Sequence, residues 1–200
     1  SIQIGYEAGY QLNGSDDNVL IGYRAGYGLS TGNILTGVGK QSLYSNTSGN
    51  VNVAYGPNSL YNTTSGSSNV GLGYYGGNAI STGDQNTAVG SMALGSNTNL
   101  ITGSNNTAVG YQSLGANTTG ADVTAVGANA LDANTTGNYN VAVGKHALSA
   151  NTTANNNTAV GTTTLYVNTT GAGNTALGME ALKANTTGNN NIAVGLQTMA

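Results

Sequence analysis

The stretch Asn140-Val141-Ala142-Val143-Gly144-Lys145-His146-Ala147-Leu148 runs on into Ser149-Ala150-Asn151-Thr152-Thr153. Asn157-Thr158-Ala159-Val160-Gly161 then opens the same pattern again, seventeen positions after Asn140. With Gly144 as position zero, equivalent glycines fall at Gly5, Gly22, Gly39, Gly56, Gly73, Gly90, Gly110, Gly127, Gly161, Gly178 and Gly195. Every step is seventeen positions except Gly90 to Gly110, which is twenty. A fixed period sustained along a whole chain is the signature of a solenoid. It predicts one repeat domain over residues 1–200, built of twelve seventeen-residue coils, with a three-residue insertion near 99–102. The chain opens inside a repeat, which suggests a segment of a longer fibre.

Each coil position has its own chemistry. Three residues before the glycine the side chain is β-branched in all twelve coils, as at Thr87, Val141 and Ile192. At −2 it is Ala or Gly, apart from Gln3 and Leu20, and at −1 it is Val, Ile or Leu, apart from Tyr55. Alternation with this composition predicts a short strand with one Thr/Val face and one Ala/Gly face. After a brief turn, position +3 is small, +4 is usually Leu (Leu43, Leu131, Leu148) and +6 is often Ala. Alternation predicts a second strand there, with +4 and +6 inward and +5 outward. A turn such as Asn134-Thr135-Thr136-Gly137 closes the coil, using residues that tolerate positive φ. Gly9, Gly26 and Gly77 replace the +4 leucine, and the same coils carry Leu12, Leu29 and Ile80 at +7. The large side chain has moved within the coil, which avoids an empty core volume.

Composition agrees with a repetitive all-β chain. There are 32 glycines, one proline and no Cys, Trp or Phe. Charged residues make up 6%, against about 25% in an average soluble domain. The net charge of −3 is too small for charge-driven disorder, and it offers no footprint for nucleic acid. No apolar run reaches the roughly 20 residues of a membrane span, so no membrane insertion is expected of this segment.

Stacked coils pair at about 4.8 Å, so twelve give a rod roughly 55 to 60 Å long. The first strand is apolar on both faces, and only one can line the roll. The Ala/Gly face is the better fit to a thin interior. A long Thr/Val stripe would then lie outside, and such stripes mark interfaces. Val89, Val109, Val126, Val143, Val160 and Val194 are the expected oligomer seam.

The run Asn140 to Leu148, and Asn157 to Leu165 in degenerate form, resembles the head repeat of trimeric autotransporter adhesins. Similar repeats occur in phage and viral tail fibres. The resemblance covers the whole chain, although the coil here is longer, seventeen positions against the family's usual fourteen. It implies a left-handed parallel β-roll, a homotrimer, and an extracellular home on a bacterial surface or a virion fibre. The general crossover rule alone would favour the right hand.

Chemistry-bearing motifs are sparse. His146, the only histidine, sits at the outward polar position +2, which Glu7, Gln112 and Glu180 also occupy but in no adjacent coil, and no catalytic residue is expected. The acids are scattered, without the repeated Asp of a calcium roll. Gly37-Val38-Gly39-Lys40 lacks the earlier glycine of a phosphate loop, since Ile34 stands there. No cofactor or metal site is expected. Glycosylation sequons at Asn46, Asn117, Asn134, Asn151, Asn168 and Asn185 arise from the Asn-Thr-Thr turn and read as unmodified. Tyrosine is the exception. Nine of the twelve precede residue 76. Tyr6, Tyr23 and Tyr74 share position +1, as does Tyr111, and Tyr10, Tyr27, Tyr44 and Tyr61 share +5. They are candidates for contact with a host-surface glycan or protein receptor. The function expected is a structural or adhesive fibre segment; the alternative is an ice-binding solenoid, suggested by the threonine-rich turns.

Overall fold

In the computed structural model, which describes residues 1–95 and 100–199, each repeat contributes one three-residue strand. The strands run from β1 (Ile2–Ile4) to β12 (Ile192–Val194), with β6 (Thr87–Val89), β7 (Thr107–Val109), β9 (Val141–Val143) and β10 (Thr158–Val160) between them. All twelve form a single parallel sheet in chain order. Thr158 pairs with Val141, Ala159 with Ala142 and Val160 with Val143, so like stacks on like. The chain is therefore a parallel β-solenoid, and no helix occurs among the described residues.

The longer step is absorbed without loss of register, because Thr87 of β6 pairs with Thr107 of β7. Leu94 donates its N–H to Ser113 O at 3.0 Å, and Ile101 already bridges to Ile80. The extra residues therefore lie between Leu94 and Ile101. Of the span 99–102, residue 99 is outside the described residues, and Thr102 is back in the stack through its N–H to Thr118 O at 2.9 Å.

The strand faces sort by size. Ala142 and Ala159 are fully buried, while the flanking −3 and −1 residues stay half-exposed. Where leucine stands at +4, a roll this thin accepts only methyl-sized groups from the strand, and that leucine fills the remainder. The Thr/Val face is the one that points outward.

The second strand expected at +3 to +6 does not form. That segment is two tight turns. Ala147 N–H returns to Gly144 O at 3.2 Å, and Asn151 N–H to Leu148 O at 3.1 Å. The +2 and +4 residues adopt left-handed backbone, with φ 56° at His146 and 52° at Leu148. Left-handed residues break the period of two, so the inward set is +3, +4 and +7. Ala133 and Ala150 at +6 are only half-buried, whereas Ala147, Leu148 and Asn151 are enclosed. Side chains forced left-handed cost free energy and persist only where packing over-determines them. Here the enclosed leucine and the axial bond from Leu148 N–H to Thr164 O at 3.0 Å hold the turn.

The three coils with glycine at +4 use this same conformation, with φ 62°, 59° and 64° at Gly9, Gly26 and Gly77. Leu29 and Ile80 are fully buried, and Leu12, in the terminal coil, packs half-buried against the core. Leu20 at −2 belongs to the same compensation. A Cβ on Gly26 would lie 2.8 Å from Leu20 Cδ1, so leucine at −2 fills the space that leucine at +4 fills elsewhere.

Asparagine ladders satisfy the interior. At −4, Asn69 Nδ2 donates to Gly83 O at 2.9 Å, and Asn69 Oδ1 accepts the Asn86 N–H at 2.9 Å. At +7, Asn134, Asn151, Asn168 and Asn185 each donate to the Oδ1 of the preceding ladder member, at 3.0, 3.0, 3.3 and 2.8 Å. Asn46 occupies the same position between Leu29 and Thr63, and neither its Nδ2 nor its Oδ1 has a partner. A buried polar group without a partner costs about 1–3 kcal/mol. Asn46→Leu, which matches Leu29 in the coil before, should therefore raise the free energy of unfolding by about 1 kcal/mol or more in urea denaturation. A loss of stability in that variant would contradict this account of Asn46.

Candidate interaction surfaces

Two surfaces remain after the interior is accounted for. The first is the outward face of the sheet. Val89, Val109, Val126, Val143 and Val160 lie on it half-exposed, and Val194, in the last strand, is 63% exposed. Stacked strands place these residues in a continuous column, with the −3 residues Thr107, Thr124, Val141 and Thr158 in a parallel column beside it. No charged residue occurs at either position in any coil.

The second surface is tyrosine-rich. The stacking that holds the coils also aligns side chains one coil apart. Tyr10, Tyr27, Tyr44 and Tyr61 form a column of face-to-face rings, with centroids 5.1, 5.2 and 4.9 Å apart. Tyr6 stacks on Tyr23 at 5.6 Å. Arg24 bridges the two columns, its guanidinium 5.2 Å from the Tyr23 ring and 5.3 Å from the Tyr27 ring. Glu7 holds that guanidinium through an Oε2 contact at 2.7 Å. Tyr74 stands apart from both columns and meets Tyr75 edge-on at 4.5 Å. The structure thus brings six of the seven proposed contact tyrosines into one patch and places Tyr74 at its C-terminal border.

Electrostatics on this patch are mild. The Tyr6 hydroxyl is raised above its ordinary pKa by its hydrogen bond to the Glu7 carboxylate. Tyr61 is raised by burial first, then by Tyr44 and Tyr75. Both phenols therefore keep their protons at neutral pH. His146 does not join a polar cluster; it lies edge-on to Tyr166 at 6.0 Å. No grouping of His, Asp and Glu that could hold a metal is found among the described residues. No helix among them is long and apolar enough to cross a membrane.

The spacing of Tyr6, Tyr23, Tyr10 and Tyr27 was enough to find the columns in the sequence. Tyr75, Lys40, Gln41 and Asn58, which line a depression beside Tyr61, were not found. They occupy +1 and +2 in three successive coils, and left-handed backbone at +2, φ 56° at Tyr75, sets those side chains off the simple alternation. Five of the six sequon asparagines at +7, Asn46, Asn117, Asn134, Asn151 and Asn168, are fully buried, which closes their Nδ2 groups to solvent in the folded rod, and Asn185 is half-buried. In the Thr-Thr pairs, the first hydroxyl turns back to the stack, as in Thr135 Oγ1 to Thr152 O at 3.0 Å. The second, at Thr119, Thr136, Thr153 and Thr170, forms one exposed column.

Fold and surfaces together define a parallel β-solenoid repeat rod. Compared with known proteins, the chain matches no family model, no curated protein and no solved structure.

Proposed function

We propose that this chain is a structural and adhesive segment of an extracellular fibre, on a bacterial cell surface or a virion, that assembles as a homotrimer and presents a binding surface. The observation that carries the reading is the outward Thr/Val face of the strand. Its inner face is already filled by the roll, yet its outer face is apolar or β-branched in every coil. A soluble rod with one uncovered apolar stripe along its length is best served by packing that stripe against copies of itself. Parallel chains with this repeat satisfy the stripe around a shared threefold axis, in the left-handed arrangement implied by the motif's resemblance to trimeric autotransporter adhesin heads. Axial hydrogen bonds in every coil make the rod stiff, which suits a spacer that holds a tip away from a surface.

The ice-binding reading would need a flat two-dimensional array of hydroxyls. The Thr-Thr turns supply one exposed column, because the other hydroxyl is bonded along the stack. The experiment that separates the readings is the mass of the chain in solution, compared with that of a variant charged along the outer face.

A further inference from the structure

Tyr61 is the last ring of the tyrosine column, 4.9 Å from Tyr44. In the following coil the same position holds Asn78, which is 4% exposed and turned into the roll. No further ring continues the stack beyond Tyr61. Tyr75, one coil on, lines the gap, braced edge-on by Tyr74. Tyr61 and Tyr75, with Lys40, Gln41 and Asn58, line an open depression of about 360 Å³. That is the small end of ligand pockets, which run about 300–1,000 Å³, and it fits one or two sugar rings rather than a folded partner.

The lining has a definite chemical bias. Two phenol rings offer apolar faces with polar tips, the usual platform for the C–H face of a pyranose. Gln41 and Asn58 each carry a donor pair and an acceptor, as hydroxyl recognition requires. In the same coil position elsewhere, amides are spent on neighbours: Asn129 Nδ2 on Gln112 Oε1, and Gln197 Nε2 on Glu180 Oε2. Lys40 is the one cation of the lining, and no carboxylate lines the depression with it. Among the described residues the ion pairs are Arg24 with Glu7 and Lys183 with Glu180, so the Lys40 ammonium is left for a ligand. A neutral sugar would leave that charge unused, and an apolar peptide would leave both amides unpaired.

We propose that the depression between Tyr61 and Tyr75 is a binding subsite for a sugar ring that carries a carboxylate. Lys40 pairs with the acid, Gln41 and Asn58 take ring hydroxyls, and the phenol rings pack on the apolar face. This rests on the reading of the chain as an adhesive rod, and it names the class of ligand for that surface. Carboxylated sugars come as terminal sialic acids or as hexuronates within polymers, and the two sources share the recognised chemistry.

Saturation-transfer NMR on the intact chain, with 3′-sialyllactose, trigalacturonate and neutral lactose as probes, tests the site. Saturable binding of at least one acidic probe is expected, about tenfold or more tighter than lactose. Which acidic probe binds assigns the source. Lys40→Gln should abolish the preference over lactose, and Tyr61→Ala should reduce binding at least tenfold. Tyr111→Ala, outside the depression, should change nothing. Lys40 is exposed and Tyr61 half-exposed, so both variants should fold, which circular dichroism checks. Absence of saturable binding, equal binding of lactose, or indifference to both substitutions overturns the site. Sedimentation of the same samples keeps the two proposals apart. A trimer that binds no acidic sugar removes the subsite alone, and a monomer that binds one removes the trimer alone.

Discussion

Lysine at both Thr124 and Thr158 should convert the proposed three-chain assembly into single chains. Both threonines sit at −3 on the outward face and are half-exposed in the single chain. Their neighbours along the column are Thr107, Val141 and Thr175, and none of these can pair with an ammonium. In a trimer the double variant places two lysines per chain in an apolar seam. An unpaired charge taken out of water costs several kcal/mol even after relaxation. Each 1.4 kcal/mol is a factor of ten in affinity, so the dissociation constant should rise by about a thousandfold or more. Stability of the single coil should barely change, because the substituted side chains are free to extend into solvent. Thr136→Lys with Thr170→Lys is the matched control, since both lie in the exposed turn column away from the strand face. Sedimentation velocity at micromolar concentration should show the first double variant as a monomer and the control at the mass of the parent. Two variants of unchanged, equal mass would remove the outer face as the seam.

Gly144→Ala should be among the most damaging single changes in the rod. The position-zero glycines hold φ between 121° and 137°, a region that only glycine occupies readily. Strain of that kind costs about 1–3 kcal/mol by itself. The added Cβ also has no room, because it would lie 2.5 Å from the carbonyl oxygen of Gly161 in the next coil. That backbone is fixed by its own axial bond from Gly161 N–H to Val143 O at 2.8 Å. One coil must therefore lift from the other, and a loss of about 3 kcal/mol or more is expected. Gly14→Ala is the comparison at a milder, left-handed φ with room for the methyl group. Gly14 has φ 73° but nothing within 4 Å of the added methyl, so its cost should stay near about 1 kcal/mol. Urea denaturation of both variants measures the difference. Equal costs would show that close approach between coils does not select the glycine.

These two sites also show how far the sequence could be read. Gly144 was legible because its role recurs once in every coil, and the flanking Val141 to Val143 carry strand composition and alternation. Side-chain size favoured the Ala142 face for a thin interior, but both faces of the strand are apolar, and it is the structure that buries Ala142 and leaves Val143 half-exposed. Leu148 was legible as a plug but not as a turn residue. Leucine with φ 52° contradicts local preference, and the enclosing packing overrides it. A sign was present: Gly9, Gly26 and Gly77 replace that leucine, and glycine marks positive φ as well as missing volume. The amide ladder from Asn117 to Asn185, buried as far as Asn168, was hidden for a related reason. Asn-Thr-Thr reads as a solvated turn, whereas the left-handed corner carries the asparagine inward, where its neighbours along the axis satisfy it. The tyrosine columns were legible from spacing alone. The depression beside Tyr61 was not, because its lining comes from three coils and from positions that look unrelated along the chain.

The most direct measurement of the assembly uses a property of the chain itself. It contains no cysteine, so a single Thr124→Cys substitution gives one thiol per chain, in the middle of the outward strand face. A three-armed maleimide reagent, added to dilute protein under native conditions, then counts the chains that meet there. The account predicts a covalent species of three linked chains, each of 19.8 kDa, on a denaturing gel. The same reagent should leave a Thr136→Cys variant as single chains. A Thr124→Cys variant that stays at 19.8 kDa, or a Thr136→Cys variant that links equally well, would contradict the proposal that this rod is one strand of a three-chain fibre.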